Sequence, residues 1–319
     1  MAVTAVARYR SRLRMPMRYA GASFAEREGL YVLAEGPAGE GIGEVAPLPG
    51  VHRETVDGCL AWLASPVGSP PPSLAFGLDV ARALADGDPV LARPLRDRVG
   101  VNQLLGDGQA PAADARTVKV KVGRGDLAAE ARRLGELSAS RPDLRLRIDA
   151  NRSLSLDDAR RLVEGLDPAR VEYVEEPLRE PLELPAFHFA TGLAVALDES
   201  LHEPALRSAL ETAPGVVAHV MKPSLVGGLL AVRERAERTA RQGLRTVVTS
   251  SFESSYSLGV LARLVTWLPA AQGDHGLGTA GILVDDPCPA PPCEGWWLST
   301  ADDLPRPAVR FERREAARG

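Results

Sequence analysis

From about residue 99 the chain alternates two kinds of hydrophobic pattern. Short apolar or β-branched runs end in polar residues: VKVKV at 118–122, LRLRIDAN at 144–151, VEYVEEP at 171–177, LAVALDES at 193–200, VVAHVMKPS at 216–224 and RTVVTSSFESS at 245–255. Runs of this length and composition read as strands. Between them the apolar positions take helical spacing. Leu127, Ala131, Leu134 and Leu137 form one face after Asp126, a favourable N-cap residue. Ser155-Leu156-Asp157-Asp158 opens the next helix as a capping box, with Leu156, Ala159, Val163 and Leu166 on its inner side. Glu203-Pro204 starts another, because proline is tolerated in a first turn. Gly243 ends the helix that begins near Gly228.

Strand and helix in alternation, with right-handed crossovers, imply a parallel sheet. VGVNQLL at 99–105 precedes the six runs and a weak eighth lies near Gly276–Thr279. The expected fold is therefore α/β, a TIM-like (β/α)7β-type barrel over residues 99–290. Residues 1–98 read as mixed α and β. There Leu30 to Glu35 is a strand, the turn-rich 36–41 reverses it, and Val51 to Ala64 is a helix that SPVGSPPPS at 65–73 breaks. That proline cluster reads as a connecting loop rather than a ligand for a proline-reading module. An open doubly wound sheet would need a glycine-rich phosphate turn between its first strand and helix. Gly39, Gly41 and Gly43 are the only candidates, and they lie between two strand-like runs, which favours a hairpin. The basic stretch Arg306 to Arg318, interrupted by Glu312 and Glu315, is expected as a solvated strand or helix near residues 1–98.

Composition narrows the function. Of 319 residues 45% are hydrophobic, enough for a sizeable core, and 42 acidic against 38 basic residues leave a net charge of −4. A nucleic-acid binder would carry a positive excess. No stretch approaches the ~18 unbroken apolar residues of a membrane helix, and the Arg-rich start lacks the apolar run of a secretory signal. Cys59, Cys288 and Cys293 make neither a disulfide framework nor a paired metal motif. The expectation is a cytoplasmic enzyme acting on a small molecule, with no nucleic-acid or membrane partner.

Barrel chemistry sits at the C-terminal ends of the strands, and here those ends are charged. Lys119 and Lys121, two apart, share a face of the second strand, and Asp149 and Asn151 share one on the third. The fourth ends in Glu175-Glu176 and the fifth in Asp198-Glu199; in each pair only one side chain faces inward, and spacing alone leaves the choice open. The sixth ends in Lys222. Intervals of 28, 26, 23 and 24 residues separate positions 121, 149, 175, 198 and 222, one βα unit each. Three carboxylates converging in one mouth repel unless protonated or bound to a cation. An all-oxygen set suits Mg²⁺ first and Mn²⁺ second, while His52, His188, His202, His219 and His275 have no zinc-type spacing. A substrate carboxylate on such a metal acidifies its α-proton, and a lysine of lowered pKa can remove it. Lys119 and the metal both favour a neutral Lys121 by repulsion.

Taken singly, each feature has a plainer explanation. A lysine pair is ordinarily the solvated face of an edge strand, and EEP or DES an ordinary strand end before a helix. Their occurrence at five consecutive strand ends is what points to metal-assisted proton abstraction. A non-catalytic barrel with structural ion pairs is the competing explanation; buried pairs seldom repay their desolvation. A serine hydrolase is unsupported, since no GxSxG turn is present.

KVKVG at 119–123, RIDAN at 147–151, VEEP at 174–177, ALDES at 196–200 and MKP at 221–223 resemble the enolase superfamily, muconate-lactonising branch. GEVAPLPG at 43–50 is similar to that family's capping domain, so the likeness spans most of the chain and implies an α+β N-terminal capping domain over residues 1–98, completed by the C-terminal segment 291–319. The resemblance implies Mg²⁺ held by Asp149, Glu175 and Asp198. It implies Lys121 as the base and then the acid of a syn elimination, with Lys222 offsetting enediolate charge from the opposite face. Lys119 would tune Lys121 and touch the substrate carboxylate, Asn151 would support from behind, and Ser250 or Ser251 would line the pocket. The segment from Arg18 to Gly50 would close over the substrate. GEVAPLPG and SSFESS (250–255) most resemble the members that dehydrate 2-succinyl-6-hydroxy-2,4-cyclohexadiene-1-carboxylate in menaquinone synthesis. N-acylamino acid racemisation by the same lysines is the alternative within the branch. Dipeptide epimerases of the branch carry Asp-x-Asp on the eighth strand, where this chain has HGLG at 275–278.

Overall fold

The computed structural model describes residues 3–19, 22–106, 108–300 and 303–314. Three long strands open the chain: β1 (Val3–Tyr19), β2 (Ala22–Gly36) and β3 (Gly39–Val45). They pair antiparallel in the order β1-β2-β3, with Gly36 opposite Gly39 across a two-residue turn, as the turn residues require. Residues 20 and 21, part of the segment expected to close over the substrate, lie outside the described set. Helices α1 (Val56–Ala64), α2 (Pro72–Asp86) and the short α3 (Pro89–Ala92) follow. The first helix begins at Val56 rather than Val51: Thr55 caps it, its side chain accepting from Gly58 N at 3.1 Å, and Gly50 turns the chain just before at φ 80°.

Of the spaced glycines, Gly39 closes the hairpin, while Gly41 and Gly43 prove to be a seat for α2. A methyl group on Gly41 would stand 2.0 Å from the Ala81 carbonyl oxygen, and one on Gly43 1.8 Å from that of Gly77. No side chain fits where helix and strand backbones touch.

The rest of the chain is a ring of parallel strands. In chain order these are β4 (Arg98–Leu105), β5 (Thr117–Lys121), α4 (Leu127–Ser140), β6 (Arg145–Asp149), α5 (Leu156–Val163), β7 (Val171–Glu175) and α6 (Leu184–Thr191). Then come β8 (Val195–Leu197), α7 (Pro204–Leu210), β9 (Val216–Met221), α8 (Pro223–Val226), α9 (Leu229–Arg241), β10 (Arg245–Val248), α10 (Ser255–Trp267) and β11 (Asp274–Gly278). Strands β4 to β10 pair in sequence, and β11 pairs with β4. On its other side a parallel bridge, Thr249 to Gly276, with the Ser250 N to Gly276 O bond at 3.1 Å, joins β11 to the end of β10, so the weak eighth run near Gly276–Thr279 is a strand, set at Asp274–Gly278. The expected helix starts hold: Asp126 and Ser155 accept from Ala128 N and Asp158 N, α7 opens on Pro204, and α9 follows Gly228. The first crossover, 106–116, has no helix among its described residues.

Alternation along the strands sorts the side chains. Val118, Val120, Leu146, Ile148, Val174 and Val195 face outward onto Leu134, Leu162 and Phe187 of the helices. Tyr173, Ala196, Ala218, Val220 and Val247 fill the interior. A third core joins the N-terminal sheet to the barrel, packing Ala7, Tyr9, Tyr31, Leu33 and Ile42 on Tyr256, Leu258 and Leu261 of α10. The opposite face of that sheet packs Leu30, Val32 and Val45 on α1 and α2.

The chain then divides its C-terminal segment between the two parts. The hairpin of β12 (Cys293–Glu294) and β13 (Trp297–Ser299) pairs antiparallel with the start of β4, whereas β14 (Glu312–Arg313) pairs with β1. This β14 pairing is how the basic stretch reaches the cap; residues 315–319 lie outside the described set. Among the described residues no helix is long and apolar enough to cross a membrane.

Candidate active site

Register across the barrel brings the charged strand ends together. Lys121 is the direct partner of Asp149, and Asp149 that of Glu175. Lys119 Nζ lies 2.9 Å from Asp149 Oδ2 and donates to Glu175 Oε2 at 2.7 Å. Lys121 Nζ donates to the same Asp149 oxygen at 3.0 Å and to Asn151 Oδ1 at 2.6 Å. Across the mouth, Lys222 Nζ donates to Asp198 Oδ2. Asp149, Glu175, Asp198 and Lys222 are all at most 5% exposed.

The two ambiguous carboxylate pairs resolve by backbone conformation. Glu175 points into the barrel. Glu176, at φ 41°, turns its buried carboxylate to the next loop, accepting from Asp198 N at 2.9 Å, Ser200 N at 2.7 Å and Arg152 Nε at 3.1 Å. Glu176 thereby fixes the backbone that carries Asp198. Glu199 reaches sideways and accepts from Asn151 Nδ2 at 3.0 Å. Asn151, itself at φ 44°, spans from Lys121 to Glu199.

Electrostatics separate the three lysines. Burial lowers the Lys121 pKa, Asp149 opposes this, and the neighbouring charges of Lys119 and Arg124 add to the lowering. The direction agrees with the expectation, but burial outweighs the repulsion that was its stated cause. Burial also disfavours the charge on Lys119 and on Lys222, yet Asp149 and Glu175 in the first case, and Asp198 in the second, hold both well above the usual lysine value. Burial and the adjacent Asp149 push Glu175 up to about 7. Burial raises and Lys119 and Lys121 lower the Asp149 pKa, with the lowering dominant.

Among the described residues no group of three or more His, Cys, Asp or Glu is gathered closely enough to hold a metal, because lysine ammonium groups occupy the gaps between carboxylates. The donor set is nonetheless suited to a hard cation. Glu175 Oε1 and Asp198 Oδ1 are buried hard oxygens without a hydrogen-bond partner among the described residues.

The pocket above these groups is lined by Lys119, Lys121, Asp149, Asp198 and Lys222 on one side, and by Thr249, Ser250, Phe252, Gly276, Gly278 and Thr279 on the other; Asn102 and Leu104 lie between. Ser250 faces it and shares a hydrogen bond with Thr279 at 2.8 Å. Ser251, the next residue, is fully buried on the far side, 3.1 Å from Ser224 Oγ. Of the two serines proposed for the pocket, only Ser250 lines it.

Several residues at the site went unnoticed in the sequence. Arg147 is buried at the barrel floor and donates to Glu172 Oε2 at 2.7 Å, Asn102 Oδ1 at 3.0 Å and Asp274 O at 2.7 Å. The register slip between β6 and β7 lets Glu172 reach it. Glu44 of β3 accepts from Ser254 N at 2.9 Å and Ser257 Oγ at 2.8 Å, capping α10 from the N-terminal sheet. Two of these lie in the motifs of the family resemblance, Arg147 in RIDAN at 147–151 and Glu44 in GEVAPLPG at 43–50, but the resemblance assigns neither a role.

The family model described as Enolase C-terminal domain-like matches residues 107–276, just over half the chain. A curated protein of Enterobacter sp. (strain 638), named o-succinylbenzoate synthase, is 36% identical over 273 residues, 81% of this chain and 84% of the relative. The chain belongs to the o-succinylbenzoate synthase family of the enolase superfamily. A second member, from Escherichia coli (strain SMS-3-5 / SECEC), is 37% identical over 76% of this chain and 80% of its own length. Among solved structures, the o-succinylbenzoate synthase of Thermosynechococcus elongatus BP-1, complexed with Mg in the active site, superposes with a TM-score of 0.69 at 26% identity. The match covers 88% of this chain and 94% of that one. The muconate lactonizing enzyme of Pseudomonas fluorescens shares the fold, with a TM-score of 0.78 over 98% and 100% of the two chains at 16% identity. Membership in this synthase family excludes the non-catalytic barrel.

Proposed function

We propose that this protein is a lyase that converts 2-succinyl-6-hydroxy-2,4-cyclohexadiene-1-carboxylate to o-succinylbenzoate by syn dehydration. The observation that carries the reading is the in-register set of Lys121, Asp149 and Glu175 facing Asp198 and Lys222, in a chain of the synthase family. Asp149, Glu175 and Asp198 would hold Mg²⁺, with Mn²⁺ as a substitute; the two unpartnered buried oxygens and the Mg-bound relative support this. When bound, the cation supplies positive charge to the carboxylate whose α-proton is removed.

Lys121, lowered by burial, takes that proton and returns it to the departing hydroxyl on the same face. Lys222, charged and held by Asp198, sets positive charge against the opposite face. Lys119 tunes Lys121, and Asn151 aims it. Aromatisation favours the elimination. In this reading residues 99–290 are the catalytic barrel and residues 1–98 the cap, which the C-terminal segment 291–319 completes only through β14, its hairpin pairing with β4 instead; the segment from Arg18 to Gly50 closes over the substrate in the cytoplasmic enzyme.

Purified protein should consume the diene, followed by absorbance, with Mg²⁺, and should stop on addition of excess EDTA. Folded protein without turnover would overturn the synthase reading and direct attention to α-proton exchange on N-acylamino acids.

A further inference from the structure

Arg27 lies on β2, with Gly29 and Tyr31 on the face of the sheet that meets the barrel, and it is 1% exposed. Its guanidinium gathers four main-chain carbonyls. Nη1 donates to Pro47 O at 2.9 Å and Nη2 to Ala46 O at 2.7 Å, both in the cap turn after β3. Nε donates to Phe252 O at 3.2 Å and Nη2 also to Ser251 O at 3.3 Å, both in the loop between β10 and α10. A planar fork with fixed donor directions can tie two loops in this way; a lysine cannot.

The barrel loop so held is the uncharged wall of the pocket. Phe252 lines it at φ 58°, a backbone conformation that a bulky residue adopts only when its surroundings impose it. Glu253, the next residue, turns inward and accepts from Ser224 Oγ at 2.9 Å, and Glu44 clamps the following Ser254. Ser250 and Phe252 therefore face the substrate from a loop whose carbonyls are anchored in the cap.

We propose that Arg27 is a positioning residue for the substrate: from outside the pocket it sets where the Ser250–Phe252 wall stands, making the cap a determinant of fit through the barrel's own backbone. This rests on the dehydration reading above. Arg27 touches no reacting atom.

The test compares wild type with Arg27→Met and Arg27→Lys in steady-state dehydration, at a temperature where thermal melts show each protein folded. A wall displaced by about 1 Å is expected to lower kcat/KM roughly 10- to 100-fold, mainly through KM, with the Mg²⁺ activation constant unchanged. The Arg27→Lys protein should be impaired like Arg27→Met, because charge alone does not supply the fork. In a Phe252→Gly background, where the left-handed turn costs nothing, Arg27→Met should raise KM by a much smaller factor. Unchanged kinetic constants beside a lower Tm would overturn the proposal and leave Arg27 a structural tie. Equal KM effects of Arg27→Met with and without the Phe252→Gly change would overturn it too. If Arg27→Met does not fold, Arg27→Gln, which keeps two N–H donors, is read by the same ratios. No turnover by the wild type itself would sink the reaction assignment and this proposal together.

Discussion

The two walls of the pocket are built from different materials. On the β5 to β9 side, three lysines and three carboxylates stand at strand ends, and each is held by side-chain ion pairs within the barrel. On the β10 and β11 side the lining is Thr249, Ser250, Phe252, Gly276, Gly278 and Thr279, with no ionised group, and the ties come from backbone and from the cap. The first wall can perform chemistry and has strand registers to place it. The second can shape a substrate; its β10–β11 seam has one ladder bridge, Thr249 to Gly276, with the Ser250 N to Gly276 O and Ser250–Thr279 bonds beside it, and Arg27 and Glu44 add ties from the cap. Catalysis and fit are thus carried by parts of the fold that can vary separately.

Substitutions should divide along the same line. The largest effect is expected for Lys121→Ala. Acid–base catalysis is worth about 10²- to 10⁴-fold per use, and the proposed mechanism uses this residue twice, so kcat should fall by at least ~10⁴-fold with KM little changed. A variant within tenfold of wild-type turnover would remove Lys121 from the chemistry. Next, Asp149→Asn should weaken Mg²⁺ binding, measured by calorimetry, by ~100-fold or more, because even partners behind a metal ligand are worth 10- to 100-fold. Unaltered affinity would move the cation elsewhere.

The uncharged wall should betray itself by acid sensitivity instead. His275, beside Gly276, is wholly buried, accepts from Val248 N at 3.1 Å, and is pushed down to about 3, by burial first and then by Arg147 and Arg96. Its folded pKa lies below the unfolded value of ~6.5, so the unfolded chain takes up the proton first. The associated stability is complete above that unfolded value and is lost as pH falls from there toward 3. At pH 5 this amounts to about 2 kcal/mol. Urea unfolding of wild type and His275→Gln at pH 7 and pH 5 should show that difference appearing only in the wild type; parallel pH profiles would contradict it. The smallest effect is expected for Ser250→Ala, which removes a hydroxyl that faces the pocket and bonds Thr279. A net hydrogen bond of about 1 kcal/mol implies a KM increase of about fivefold at unchanged kcat, and a fall in kcat would instead place Ser250 in the chemistry.

The same division governs what could be read from residues alone. The ion-paired wall announces itself: strand ends recur one βα unit apart, and the charges on them fall at matching offsets. Even so, the inward choice between Glu175 and Glu176 came from the family resemblance, because a strand end can twist either way. Here a left-handed φ at Glu176 turns its carboxylate to the Asp198 backbone. The other wall leaves no such trace. Arg27 acts on carbonyl oxygens, which every residue has, and its barrel partners lie more than 220 positions away in the chain. Ser250 and Ser251 look alike in sequence and both are buried, yet past the end of β10 the loop turns Ser250 to the pocket and Ser251 to Ser224. The first crossover, by contrast, is legible: Gly106, Gly108 and Pro111 break any helical run there, and no helix forms among its described residues.

The pairing of β14 with β1 has a consequence for how the protein is made. Ala5 opposes Arg313 and Val6 opposes Glu312, so the last strand of the N-terminal sheet is nearly the last part of the described chain to be synthesised. At roughly 5–20 residues per second, partners roughly 300 residues apart leave the ribosome about 15–60 s apart. Through that interval the edge of β1 at Ala5 and Val6 has no neighbour; further along the same strand Leu13 bridges Leu283, and the barrel strands emerge before either partner arrives. The nascent chain therefore carries an unpaired edge strand, the kind of surface that invites pairing with another chain, until residues 282–284 cover it near Leu13 and β14 covers it at Ala5 and Val6.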